Sequence, residues 1–171
     1  MNLSPSGLAE DILSGLKEHR EEFHLVTFSM GEDYGVPISQ VHEIIRVGDI
    51  TMVPNSPSYM EGVINLRGKV LPVLNLRKRL RLPDKETSKA SRIIVTEVND
   101  KVIGILVDAV SHVIKVPSNF VETVPEEVLE IDTDYITGVG KLNDRLVILL
   151  DLEKLLKRGK IEIQEKENAI I

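Results

Sequence analysis

Four histidines, His19, His24, His42 and His112, are the first residues to weigh for chemistry. An imidazole becomes a metal ligand or a base when further ligands or a reacting partner converge on it at a defined spacing. These four lie in unrelated contexts with no ligand-like pairing, so surface or half-buried places are expected for them. Gly138-Val139-Gly140 supplies two glycines of a dinucleotide fingerprint without the third, and a hairpin stands where the helix should begin. Asp132-Thr133-Asp134 opens like a calcium loop but lacks the glycine and the terminal glutamate that complete one, so a solvated turn or helix cap is expected. The acid pair Glu126/Glu127 has nothing beside it to make it catalytic, and no Walker loop, Gly-x-Ser-x-Gly or His-Glu-x-x-His occurs. Cysteine is absent altogether, which removes thiolate metal sites, disulfides and a cysteine nucleophile. No enzyme, no cofactor and no metal are expected.

Two basic features remain. The run Arg77, Lys78, Arg79 and Arg81 is either the wet face of a short helix or an electrostatic patch for nucleic acid, an acidic partner or lipid headgroups. The net charge of −6 and an aromatic content of 4%, with no tryptophan, weigh against a nucleic-acid groove, which needs broad basic cover and stacking rings. A nucleic-acid-binding barrel that uses Arg77 to Arg81 stays as the alternative. The second feature is Arg67, beside Gly68 at a hairpin tip in Asn65-Leu66-Arg67-Gly68. It is a solvated turn residue or, held on a rigid hairpin, a fork for a carboxylate. Val41-His42-Glu43 lies where the strand pattern breaks, with Val41 expected inward and Glu43 outward.

The elements that must hold these residues are mostly strands. A chain of 171 residues, 42% of them apolar, makes one ordinary domain or two small ones and buries roughly 70% of its unfolded surface. No run approaches the ~20 apolar residues of a membrane span. The beginning of the chain carries Glu10 and Asp11 among its apolar residues and lacks a basic leader, unlike a secretory signal. Leu8, Ile12, Leu13 and Leu16 after Pro5 and Ser6 predict a helix over 5–22. From His24 the period becomes that of strands, with a hairpin turning at Gly31-Glu32-Asp33, and short β segments continue to Leu152. The polar stretch 83–91 is a linker.

The two sides of that linker are related. Gly35 to Val47 lies over Gly104 to Val116 at an offset of 69, Leu25-Val26-Thr27 lies over Ile94-Val95-Thr96 at the same offset, and Gly62 to Leu76 lies over Gly138 to Leu152 at an offset of 76. Blocks in one order with a single length change indicate an internal duplication, read here as two similar β-barrels near the small end for independent folding, which are therefore expected to share a core. Each copy ends on a hairpin, then Asn75 or Asp151 as the N-cap of a helical segment. The second of these segments turns Leu152, Leu155 and Leu156 to one face, carries Lys157 and Arg158 near its end and is stopped by Gly159. Pro72 lacks an N–H, so its strand is expected to be an edge at that point.

Glu61 to Leu76, Tyr34 to Ile38 with Val41 to Ile44, Val102 to Val110, and Tyr135 to Leu156 together resemble the chemotaxis coupling protein family, CheW, from about His24 to Leu156. The Asn-Leu-Arg-Gly hairpin is the specific part. The resemblance implies two SH3-like five-stranded β-barrels packed together; with the elements read above, a mostly β protein with short helices and N- and C-terminal helical segments is expected, the N-terminal helix and the tail lying outside the match. The divisions are 1–23 as an extension, 24–82 and 92–158 as barrels that can exchange strands, 83–91 as linker and 159–171 as tail. It implies a non-catalytic cytoplasmic adaptor that joins two partners: the cytoplasmic tip of methyl-accepting chemotaxis receptors and the CheW-like regulatory domain of a histidine autokinase. The adaptor would be a monomer when isolated, recruited to receptor clusters as part of larger arrays, with neither nucleic-acid binding nor direct membrane insertion. Val41, Glu43 and Arg67 are implied at the receptor face, and an adaptor of a non-chemotaxis kinase pathway is the variant of this reading. Asn75 stands where the family more often has aspartate, which the cap tolerates.

Overall fold

The computed structural model describes residues 22–123 and 133–156. The helix expected over 5–22, with His19, and the residues Glu126, Glu127, Asp132, Lys157, Arg158 and the tail 159–171 lie outside these. Eleven strands are described: β1 Glu22–Met30, β2 Glu32–Pro37, β3 Val41–Arg46, β4 Met60–Leu66, β5 Lys69–Asn75, β6 Arg92–Val98, β7 Lys101–Val107, β8 Ala109–Pro117, β9 Val121–Glu122, β10 Ile136–Leu142 and β11 Arg145–Leu150. A short helix, α1, covers Leu76–Arg79, and residues 152–156 are helical. One sheet has six strands in the order β8-β1-β2-β11-β10-β9 and the other five in the order β3-β6-β7-β5-β4.

The duplication is visible bond by bond. Hairpins β4–β5 and β10–β11 share one register at an offset of 76, with the same irregularity after Met60 and after Ile136. The amide of Asn75 donates to Tyr59 O and that of Asp151 to Tyr135 O, at 2.7 and 2.8 Å. Both expected N-caps form: Asn75 Oδ1 accepts from Lys78 N at 3.2 Å, and Asp151 Oδ1 from Lys154 N at 3.1 Å. The offset of 69 holds for β2 over β7 and β3 over β8. For β1 over β6 it is 68, so Leu25 to Phe28 lie over Ile93 to Thr96, one residue from the sequence alignment. Both strands are aliphatic runs, and such runs do not fix their own register.

Each sheet draws strands from both sides of 83–91. Hairpin β1–β2 joins β8 and β11 of the second half, and hairpin β6–β7 joins β3 and β5 of the first. The barrels are therefore 22–37 with 109–150, and 41–107, and not the consecutive spans 24–82 and 92–158. The two hairpins carry the same apolar pattern, so periodicity cannot tell which barrel receives which. Pro72 stands as expected: β5 lies between β4 and β7, but at Pro72 itself the strand pairs with β4 alone. Pairing with β7 begins one residue later, at Val73, and Pro72 is tolerated at that end.

Strand alternation sorts the core into three layers. Leu25, Val116, Val147 and Leu149 fill the six-stranded barrel; Ile64, Leu71, Val73, Ile93, Val95 and Leu106 fill the five-stranded one. The opposite faces of the same strands, among them Val26, Phe28, Tyr34, Leu74, Ile94, Ile105 and Leu150, form a third and larger cluster between the barrels. The shared core expected from the small size of each copy is present. Strands buried on both faces are also why Ile93-Ile94-Val95 and Val147 to Leu150 are unbroken apolar runs.

Candidate functional site

Arg67 and Gly68 are the two residues of the turn between β4 and β5, with φ of 51° and 86°. Positive φ at both positions is the turn whose twist matches a hairpin, and it favours Asn-Gly. The equivalent residue of the other copy is Asn143, at φ 55°. An arginine there carries the steric cost of the left-handed region, about 1 kcal/mol, that asparagine largely avoids. Asn65 Oδ1 braces the turn by accepting from Gly68 N at 2.9 Å.

What the turn gains is a fork. Arg67 Nη1 donates to Glu43 Oε1 at 3.0 Å while Nη2 donates to Oε2. Glu43 lies on β3 and Arg67 follows β4, and these two strands are the opposite edges of the five-stranded sheet. The pair thus ties the edges together across the outside of the barrel. The hydrogen bonds from Arg67 hold the Glu43 carboxyl below the ordinary carboxylate range and raise the guanidinium in turn. The arginine side chain remains 70% exposed, so the pair adds little stability and stays available to a partner.

Glu43 reaches Arg67 because β3 bulges. Pairing with β6 runs Val41↔Thr96 and then Glu43↔Val95, with His42 displaced outward so that its Nε2 lies 2.5 Å from Glu97 Oε2. Val41 is half-buried against the shared core, as expected. Glu43 is half-buried along the surface and does not stand free in solvent. Ile44 and Val70 are exposed nearby in sequence, Val70 at 74%. Val41, Glu43 and Arg67 are thereby set on one barrel, the last two in direct contact. The other copy bulges at the matching place but offers His112 and Asn143, and Thr27 Oγ1 engages the His112 backbone. Only one barrel carries the charged fork.

The basic run is not one patch. Arg79 is 7% exposed inside the molecule. Arg77 is half-buried, donating from Nε and Nη2 to the Asp108 carboxylate, at 2.6 Å for the shortest bond, and from Nη1 to Pro83 O at 2.7 Å. Lys78 and Arg81 are exposed, Lys78 lying 4.0 Å from Glu61. Sequence reasoning missed Asp108; a lone acid between the apolar runs of β7 and β8 was its signal. It also missed what Asn75 does with its amide: Nδ2 donates to Glu61 Oε2 at 3.0 Å, a bond that aspartate could not make. Among the described residues, His, Asp and Glu form no cluster of three able to hold a metal, and no helix is long and apolar enough to cross a membrane.

These features describe a mostly β protein of two packed barrels that presents an ion-paired hairpin tip on one of them. Residues 24–160 match the CheW-like domain family. The chain is 39% identical over 129 residues to chemotaxis protein CheW of Bacillus subtilis, covering 75% of this chain and 82% of that one. It is 34% identical over 155 residues to CheW of Thermotoga maritima, covering 90% and 98%. The crystal structure of the scaffolding protein TtCheW from Thermoanaerobacter tengcongensis superposes with a TM-score of 0.72 at 40% identity, over 78% of this chain and 86% of that one. The chain belongs to the CheW-like family and is a chemotaxis scaffold of that type.

Proposed function

We propose that this chain is a non-catalytic cytoplasmic adaptor that couples membrane chemoreceptors to a histidine autokinase. It binds the receptors' cytoplasmic tip and the kinase's CheW-like regulatory domain at once, and receptor state biases the kinase through equilibria among bound forms. In isolation it is a monomer; bound, it joins larger receptor arrays. Receptor binding is assigned to the face of Val41, Glu43 and Arg67. The observation that carries this is Arg67 itself: an exposed arginine kept in a turn conformation that suits asparagine, aimed by a bidentate bond to Glu43. Strain retained at an exposed, preoriented charge is a mark of recognition.

The deciding experiment is capture of the kinase regulatory domain with and without a receptor cytoplasmic fragment. Ternary capture is expected, and failure of both partners to bind at micromolar concentrations would remove the adaptor role. Two variants probe the face. Arg67→Ala loses the fork, and Arg67→Asn loses it while relieving the turn. Both are expected to fold and to bind receptor fragment about tenfold more weakly, the weight of one charge-assisted contact. Full affinity in Arg67→Asn would return Arg67 to the solvent. The nucleic-acid reading has no comparable support, since Arg79 is buried and Arg77 is engaged by Asp108.

A further inference from the structure

Arg79 is the anomaly of the shared core. It follows hairpin β4–β5, is 7% exposed, and places its guanidinium carbon 4.3 Å from the ring centre of Tyr59 and 5.0 Å from that of Tyr135. Those tyrosines are counterparts under the offset of 76, each accepting the amide of the residue that caps its own helix. The counterpart of Arg79 is Leu155, and Arg79 Nη2 donates to the Leu155 carbonyl at 3.1 Å. One guanidinium therefore touches both members of one repeated pair, and also the backbone of its own twin. It is thereby in contact with both halves of the repeat. Only one copy can place a side chain there, so the repeat is asymmetric at this point: arginine on one side, leucine on the other.

Apolar packing alone does not require this. An aliphatic residue would suit the surroundings, Leu76, Leu80, Leu152 and Leu155, and would avoid the desolvation of a charge. Two facing aliphatic layers, though, can slide over one another at little cost, because hydrophobic contact is non-directional. A planar cation between two rings, with a directed bond to the last turn of a helix, accepts one geometry.

We propose that Arg79 is the positioning residue that fixes the angle between the two barrels. The faces presented by the separate barrels are thereby held in one mutual orientation, whichever partners occupy them. The assignment does not depend on the receptor or kinase reading.

The chain has no cysteine, so a spin-label pair introduced at the exposed positions Lys69 (five-stranded sheet) and Lys115 (six-stranded sheet) reports one inter-barrel distance. In the parent background a single narrow distribution is expected. Arg79→Met keeps the length and packing without the charge, and is expected to stay folded with a broadened or shifted distribution. Arg79→Lys keeps the charge without the planar fork, and is expected to broaden as well. If Arg79→Met does not fold, Arg79→Lys decides alone. An unchanged distribution in Arg79→Lys, or in a folded Arg79→Met, overturns the assignment and leaves Arg79 as a filler of the core.

Discussion

Arg77 and Asp108 show what a single pair contributes when it is out of water. Both side chains are largely shielded, at 13% and 15% exposure, and Lys85 adds its charge 3.7 Å from the same carboxylate. The bonds from Arg77 hold the Asp108 carboxyl below its ordinary range, against the opposing effect of burial. A depressed carboxylate stabilises the fold above the unfolded-state value near pH 4, and that stabilisation is lost as pH falls through the lower folded-state value. Asp108→Asn is therefore expected to unfold about 2 kcal/mol more easily at neutral pH and to lose less on acidification than the parent. Urea midpoints measured from neutral pH down through the acid limb check both. Asn75→Asp is expected to cost about 1 kcal/mol, since it turns the donor to Glu61 into a second carboxylate. At this scale Arg67 was legible because a hairpin tip has few uses for arginine. Arg79 was not, because the short helix was expected to turn all four basic residues outward, and Arg79 is buried. With one turn of helix, the positions in Arg77-Lys78-Arg79 face three different directions.

At the scale of elements, the N-caps, the hairpins and the repeat follow from residue type and period, and they stand in the structure. What periodicity could not supply is partnership, because two aliphatic hairpins of equal pattern are interchangeable by hydrophobicity alone. Local geometry that residue type does fix shows at Gly62 on β4. Its φ is 150°, and a Cβ there would stand 2.2 Å from Thr51 O, where the 51–63 bridge carries bonds of 2.8 and 2.9 Å. Gly62→Ala is expected to open that bridge and to cost on the order of 3 kcal/mol. Faster amide exchange at Thr51 and Val63, with β6–β7 unaffected, is the measurement. Uniform loss of protection would place the effect elsewhere.

For the whole molecule, the exchange of hairpins makes the two halves of the chain indispensable to each other. Each half alone lacks two strands of its own barrel and leaves one face of the shared core uncovered. A single protease site placed in the exposed segment 83–90 is expected to cut the chain without separating the pieces, which should co-elute as one particle until denaturant is added. Release of either fragment under native conditions would contradict the pairing. Unfolding of the intact chain should likewise be one transition, with the same midpoint by circular dichroism and by a label on either sheet.

The reciprocity of that exchange carries a history. If 83–90 were never joined, two identical half-length chains could each lend a first hairpin to the other and make the same particle: a swapped homodimer. The present chain has the form such a dimer takes once its two subunits are fused end to end. Fusion frees the halves to diverge, and the divergence is visible: one barrel has a charged fork where the other has histidine and asparagine, and one half supplies the single buried arginine that touches both.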